Sequence, residues 1–199
     1  MTQSSTRPSV SGRQLRKVPS NKSSKTVLWI CLAVVAVAVA GVLAYIFTRP
    51  AVQHFPDQGG GQSNHLQSPS QPLPVPYNSN PPTSGWHWGG GAADPGIKDT
   101  MIEDTITVHS LEHGFVIIHY RADLDKATID KLKALTVDLQ QKNPCIILEP
   151  RPVDQLDVPI ATTAWTYLLK LPGYDEKALR DFFHDHVGHG FEPVCPVGT

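Results

Sequence analysis

Three histidines and one glutamate in this chain have the side chains and the spacing to hold a metal ion. His109, Glu112 and His113 come directly before an apolar run, and His87 stands between two tryptophans in an aromatic segment. Imidazole nitrogens bind zinc and copper, and a carboxylate either joins them as a ligand or orients one of them by a hydrogen bond. These four residues therefore predict a metal site, although their types do not choose between zinc and copper.

The spacing of His109 and His113 sets a condition on the backbone between them. Four residues of a continuous strand span about 13 Å, which is too far for two ligands of one ion. One helical turn instead places residues i and i+4 on the same face, as in paired histidine ligands. We therefore expect a non-strand segment at 110–112, a sharp turn at Gly114, and convergence of both imidazoles with His87 at the start of the following strand. Such a site would release its ion as the imidazoles protonate below about pH 6.5.

Other roles for the same residues compete with metal binding. The histidines could simply hydrogen-bond to the backbone of a polar corner. Glu112 and a histidine could catalyse hydrolysis, with Ser84 or Ser110 as nucleophile, although no Gly-x-Ser-x-Gly motif supports this. Alternatively, the domain is a non-enzymatic binding module of the cell envelope, with the aromatic segment 77–88 as its contact surface.

Apolar periodicity predicts the elements that must position these side chains. Their order is strand, strand, helix, strand, strand, helix, at 105–109, 114–120, 123–142, 145–148, the start of 161–171, and from Asp175 onward. Both helices are amphipathic, which is typical of helices packed on a sheet. The prediction is an α/β or α+β layered domain over residues 77–199, in which short strands are packed by two helices.

Two of the three cysteines, Cys145 and Cys195, lie in this predicted domain. A pair of cysteines in an oxidising compartment usually forms a disulfide. We therefore expect a bond that ties the C-terminal tail to a core strand.

The N-terminal quarter of the chain predicts a membrane anchor. Residues 1–26 carry six Lys or Arg and no acid, whereas the remaining chain carries 11 Lys or Arg against 18 Asp or Glu. The uncharged run 27–47 is long enough to cross a hydrocarbon core of about 30 Å, and the positive-inside rule places the disordered tail before it in the cytoplasm. A cleaved signal peptide is the rival interpretation. The mildly acidic remainder argues against a nucleic-acid partner.

The stretch 48–76 is rich in glycine and proline, which predicts a linker between the transmembrane helix and the domain. Residues 77–199 would then be the extracytoplasmic domain of a single-pass membrane protein. Its partners would be the membrane and either a metal ion or another component of the envelope.

Several blocks of the sequence resemble one bacterial family. The first is Tyr-Asn-Ser-Asn-Pro-Pro-Thr-Ser-Gly followed by His87 and Trp88, and the second is Val-His-Ser-Leu-Glu-His-Gly. Shorter blocks similar to later parts of the family lie at 150–152, 163–165 and 190–193. The family is catalogued as a domain of unknown function, number three-one-zero-five. The resemblance covers roughly residues 65–194 and departs at Trp86, where the family usually has proline.

This resemblance implies a domain outside the cytoplasm behind one N-terminal helix. It carries no established activity, substrate, cofactor or catalytic residue. It does place the four candidate ligands within the family's motifs, together with His65, for which the match is weaker.

Overall fold

The computed structural model describes residues 22–48 and 50–197, with side chains described for 25–41 and 50–197. The chain divides into two compact units, Met1–Arg49 and Pro50–Thr199. The described part of the first unit is one helix, α1 (Lys22–Thr48). Residues 1–21 of the predicted cytoplasmic tail lie outside the described residues. Among the helices that can be described, none combines the length and the mean hydropathy that crossing a membrane requires.

The second unit has a mixed α/β fold. Its strands are β1 (Gln53–His54), β2 (His65–Leu66), β3 (His87–Trp88), β4 (Gly96–Ile97), β5 (Val116–Arg121), β6 (Ile146–Arg151), β7 (Ile160–Ala164) and β8 (Tyr167–Leu171). Its helices are α2 (Asp104–Glu112), α3 (Lys126–Lys142) and α4 (Glu176–His186). Within the described ranges, six strands form one sheet in the order β1-β8-β7-β5-β6-β4, and β2 and β3 form a separate parallel pair.

Strand β5 lies inside this sheet and confirms the strand predicted over 114–120. It runs parallel to β6 on one side and antiparallel to β7 on the other. Its residues Val116, Ile117 and Ile118 are each at most 1% exposed. A continuous apolar run is what a strand covered on both faces requires.

The two predicted amphipathic helices are confirmed as α3 and α4. Each begins at an aspartate whose side chain accepts a hydrogen bond from a backbone N–H of the first turn, Asp125 in α3 and Asp175 in α4. This capping satisfies a donor that has no partner within the helix. The buried residues recur at helical spacing, with Leu132, Leu135 and Leu139 in α3 and Leu179, Phe182 and Phe183 in α4.

The strand predicted at 105–109 is wrong, because these residues belong to helix α2. The run Thr105-Ile106-Thr107-Val108 is β-branched and favours strands, but such propensities are weak and yield to tertiary packing. Nearly every side chain of α2 is buried, including polar ones. The helix therefore lacks the one-sided apolar stripe by which it could have been recognised.

The extended linker predicted at 48–76 is also incorrect for the part that the structure describes. Strand β1 pairs with β8 of the main sheet, and β2 pairs with β3. Leu66 is only 2% exposed. The compact unit therefore begins at Pro50. Its first residues are held by two short strand pairings and by hydrogen bonds of polar side chains and backbone groups, none of which leaves apolar periodicity in the sequence.

Cys145 and Cys195 form the predicted disulfide, with their Cα atoms 6.0 Å apart. The bond joins the residue before β6 to the C-terminal tail across a sequence separation of 50. In the loop-entropy model, closing a loop of this length stabilises the folded state by about 4 kcal/mol. The tail is thus fixed to the core of the domain.

A buried ionic network crosses the sheet. The ring of His119 in β5 lies 2.7 Å from Oε1 of Glu149 in β6 and 2.9 Å from the Thr163 hydroxyl in β7. Arg151 Nε lies 3.5 Å from the same Glu149 oxygen, and its guanidinium also pairs with Asp104 of α2. The side chains of His119, Glu149 and Arg151 are at most 1% exposed. The network therefore links the sheet to the helix that carries two of the candidate ligands.

Burial raises the pKa of Glu149. The hydrogen bond from His119 and the nearby charge of Arg151 lower it by a larger amount, so the pKa lies below its ordinary value. Burial lowers the pKa of His119, and Arg151 adds to this, although Glu149 acts in the opposite direction. A group with a lowered folded-state pKa stabilises the protein above its unfolded-state pKa and loses that contribution as the pH falls. Both groups therefore lower the free energy of unfolding as the pH falls.

We expect Glu149→Gln to lower the free energy of unfolding by about 3 kcal/mol or more, because Arg151 would keep a buried charge with one partner fewer. Because Glu149 acts to raise the pKa of His119, the variant should lose at least as much stability as the wild type between pH 7 and pH 5, where the unfolded histidine protonates and Glu149 is still ionised. Urea unfolding followed by tryptophan fluorescence measures both effects. Lys126→Ala, which breaks an exposed ion pair with Asp130, is the control and should lower the free energy of unfolding by about 0.5 kcal/mol or less. An equal decrease in the free energy of unfolding for the two variants would contradict the prediction.

Candidate metal centre

Four histidines meet at one end of α2. His65 of β2 and His87 of β3 are directly paired in the register of their parallel strands. Their ring centroids lie 5.0 Å apart, and those of His87 and His109 lie 5.1 Å apart. The ring of His113, just after α2, lies 4.7 Å from that of His109. A short strand pair and one helix thus bring together imidazoles that are up to 48 residues apart in the sequence.

The end of α2 places His109 and His113 side by side. The helix continues to Glu112, and the backbone N–H of His113 still bonds to the carbonyl of His109. Gly114 then takes a φ of +87°, which favours glycine, and an added Cβ would lie 2.9 Å from the backbone of Gly188. The helical spacing and the turn predicted at Gly114 are both present.

Three of the four rings are oriented by backbone carbonyls. The Nδ1 atom lies 2.8 Å from the oxygen of Gly85 for His87, 2.6 Å from that of Trp88 for His109, and 2.9 Å from that of Glu192 for His113. A carbonyl can only accept, so each Nδ1 carries the proton and donates it. The lone pair of each neutral ring is then on Nε2, which is the arrangement found in metal-bound histidines.

The Nε2 atoms of His109 and His113 face each other at a distance of 2.9 Å. His87 Nε2 lies 3.0 Å from Oε2 of Glu112, but this contact lacks the geometry of a hydrogen bond, and neither atom has such a partner among the described residues. The buried Nε2 of His65 also has none in that part of the chain. Lone pairs that face each other without a donor repel, so the site requires a proton or a cation between them.

Glu112 is ionised at this site. Burial raises its pKa, but a proton or other positive charge at His87 Nε2 and the N–H of Gly61 lower it by a larger amount, to about 2. Its other oxygen accepts the hydrogen bond from Gly61. A side chain at Gly60 would put its Cβ 2.6 Å from that oxygen, so the segment must be glycine to approach this closely.

Burial lowers the pKa of His109, and the neighbouring imidazoles of His87 and His113 lower it too, although the Trp88 carbonyl and Glu112 act in the opposite direction. The imidazole of His109 is therefore neutral near pH 7, with its lone pair free. Two sets of three residues offer donor atoms that lie within 4.8 Å of one another. One set is His65, His87 and His109, and the other is His109, Glu112 and His113.

The sequence matches one known protein family. The profile of the family described as "Protein of unknown function (DUF3105)" matches residues 70–196. The chain belongs to this family. The matched range contains all four of the candidate ligands named from the sequence, but it begins after His65. No curated protein and no solved structure matches the chain.

The DUF3105 domain therefore brings His87, His109, His113 and Glu112 to one place, as their spacing predicted. His65 completes the group. Apart from the family resemblance, no sequence signal identified it, because it lies in a stretch whose composition is that of a linker. The carbonyls that orient the rings could not be identified either, since every residue carries one.

The two serines considered as nucleophiles have structural roles. The Ser110 hydroxyl donates to the carbonyl of Ile106 and accepts from the N–H of Ala93. The Ser84 hydroxyl accepts from the N–H of Gln58. Both serines are fully buried. The hydrolase hypothesis therefore gains nothing from them.

A C-terminal strap, residues 188–196, lies across the end of α2. The N–H of Glu192 donates to the carbonyl of Glu112, and those of Val194 and Cys195 donate to the carbonyl of His113. The strap also supplies the Glu192 oxygen that orients the His113 ring. Because Cys195 is bonded to Cys145, the disulfide holds this part of the site in place.

We expect Gly190→Ala to loosen the strap, because the new Cβ would overlap the carbonyl oxygen of Glu112 and lie 2.6 Å from the N atom of Gly114. Forcing an atom into packed space costs about 1–3 kcal/mol. The melting temperature should fall, and the His113 ring should lose its orienting carbonyl. Thermal unfolding measures the first effect, and the ring-proton NMR signals of His113 measure the second.

Gly173→Ala is the matched control, because nothing lies within 4 Å of the Cβ that it adds. Its free energy of unfolding should stay within about 0.5 kcal/mol of the wild-type value, so its melting temperature should hardly change. A Gly190→Ala protein as stable as this control would show that the strap does not pack as described.

Proposed function

We propose that residues 50–199 form a metal-binding domain that holds one zinc or copper ion at the cluster of His65, His87, His109, Glu112 and His113. The observation that carries this proposal is the 2.9 Å approach of the His109 and His113 Nε2 atoms, each with its Nδ1 proton donated to a carbonyl. A cation between such atoms replaces repulsion by two coordination bonds.

The distances support one ion. With bonds of about 2.1 Å, two ligands lie about 3.0 Å apart at a right angle and about 3.4 Å apart in a tetrahedron. The His109–His113 separation already has the shorter value. Within either set of three donors, whose atoms lie at most 4.8 Å apart, each side chain needs to move inward by about 1 Å or less.

A proton is the competing occupant. One extra proton would let one ring donate to the other, but it would create an imidazolium in a site where burial lowers the pKa of His109. The proton would also satisfy only one of the close contacts, because His87 and Glu112 form a second pair of facing acceptors. A divalent ion carries two positive charges and reaches several ligands at once.

The donor set favours a transition metal. Four imidazoles with one carboxylate suit zinc or copper, whereas calcium and magnesium prefer ligand sets made of oxygens. The ion would serve as a Lewis acid or as cargo, and the residues around it would hold its ligands in one tautomer. We regard metal binding as better supported than a hydrolase or an envelope-binding module, because neither alternative accounts for the facing lone pairs.

We expect the full-length wild-type chain, stripped with chelator and then reloaded, to bind one zinc or copper ion per chain. His109→Ala should lose this ion, with affinity at least about 100-fold lower, since it removes a ligand common to both sets. Binding should also weaken below about pH 6.5, as imidazoles protonate. Metal content by mass spectrometry and titration against a coloured chelator give the two measurements.

His184→Ala is the control, because this histidine has a side chain that is 62% exposed and pairs only with the adjacent Asp185 among the described contacts. It should bind metal as the wild type does. Failure of the wild type to retain either metal, with the fold intact by circular dichroism, would refute metal binding.

We also propose that the protein is anchored in the cell membrane by residues 27–47, with its N-terminus in the cytoplasm and its metal-binding domain outside. The uncharged run and the six cations before it support this orientation. The Cys145–Cys195 disulfide supports an oxidising compartment for the domain.

If this is correct, protease added to intact spheroplasts should release a soluble fragment that contains residues 50–199. Proteolysis of the same cells after lysis, with a cytoplasmic protein as marker, is the control. A domain that survives until the cells are lysed would place it in the cytoplasm. Recovery of the uncut chain in the wash, without protease, would show that no anchor exists.

A further inference from the structure

The candidate ligands form two overlapping triads. The strand triad is His65, His87 and His109, and the helix triad is His109, Glu112 and His113. Each triad has three donor atoms within 4.8 Å of one another, so either could hold an ion alone. They share a single residue, His109.

The shared histidine makes the two triads exclusive. Its Nδ1 is engaged with the carbonyl of Trp88, so Nε2 is the only atom that it can offer to a metal. One imidazole nitrogen has one lone pair and binds one ion at a time. Two ions therefore cannot occupy both triads with full ligand sets.

The triads contain both buried and half-buried residues. His109 and His87 are buried, as is Glu112, whereas His65 and His113 are half-buried. The Nε2 atom of His65 is itself buried and has no hydrogen-bond partner among the described residues, so it is a free donor inside the cluster.

The triads differ in charge. The strand triad contains three neutral imidazoles, whereas the helix triad contains two imidazoles and the ionised carboxylate of Glu112, whose Oε2 lies only 3.0 Å from His87 Nε2. An ion that leaves one triad is therefore already within reach of a donor of the other. Ligands can be replaced one at a time, without releasing the ion to water.

We propose that the site is a two-position relay, in which one transition-metal ion moves between the strand triad and the helix triad about His109 as the common ligand. This inference rests on the proposed metal binding and extends it. No electron or proton needs to be exchanged in the transfer, since one metal–ligand bond forms as another breaks.

The test uses Co²⁺ as the probe, because its visible absorption reports the number and type of ligands. Full-length wild-type chain, His65→Ala, His113→Ala, His109→Ala and the control His184→Ala are each titrated after removal of bound metal. The wild type and the control should bind one Co²⁺ per chain. His65→Ala and His113→Ala should each keep one Co²⁺, with spectra that differ from each other, whereas His109→Ala and the double variant His65→Ala/His113→Ala should lose it.

Two outcomes would overturn the relay and leave metal binding in place. Two Co²⁺ per wild-type chain would show independent sites. Loss of Co²⁺ in either single variant to the extent seen in His109→Ala would show one site that needs all its ligands. Absence of Co²⁺, zinc and copper from a folded wild-type chain would instead refute the metal site itself. His65→Gln and His113→Gln, which keep a polar side chain, are measured in parallel so that a misfolded alanine variant does not decide the result.

Discussion

The facing lone pairs of His109 and His113 are the constraint on which the rest of the site depends. Two imidazoles whose Nε2 atoms lie 2.9 Å apart can both bind an ion there only if their protons are kept on Nδ1. Main-chain carbonyls do this, at Trp88 for one ring and at Glu192 for the other. Strand β3 and the C-terminal strap are therefore both part of the site, although the strap supplies no side chain as a ligand.

The fold keeps these distant carbonyls in place. α2 ends at a glycine turn against the strap, and the disulfide closes the strap onto the core. On the other side, Arg151 binds Asp104 at the start of α2 and joins it to the buried network of β5 and β6. Both ends of the helix are thus held by charged or covalent links. A rigid support of this kind is what a preorganised set of ligands requires.

The candidate ligands could be predicted because their chemistry is in their side chains and their spacing. His109 and His113 are four residues apart, which places them on one face of a helix, and His87 lies among rings that must pack against a core. His65 could not be predicted in the same way. It lies between Asn64 and Leu66 in a stretch rich in polar, glycine and proline residues, and it reaches the site through a two-residue strand pairing that leaves no periodic pattern.

By itself, the sequence determined those features that depend on side-chain periodicity or residue type. These are the buried strand β5, the amphipathic helices α3 and α4, the cysteine pair and four of the five site residues. The tertiary structure alone decided that residues 105–109 are helical, that residues 50–66 pack into the domain, and which carbonyls orient the imidazoles. The physical reason is that backbone hydrogen bonds are available at every residue, and burial on all sides of a segment removes the contrast that makes a pattern visible.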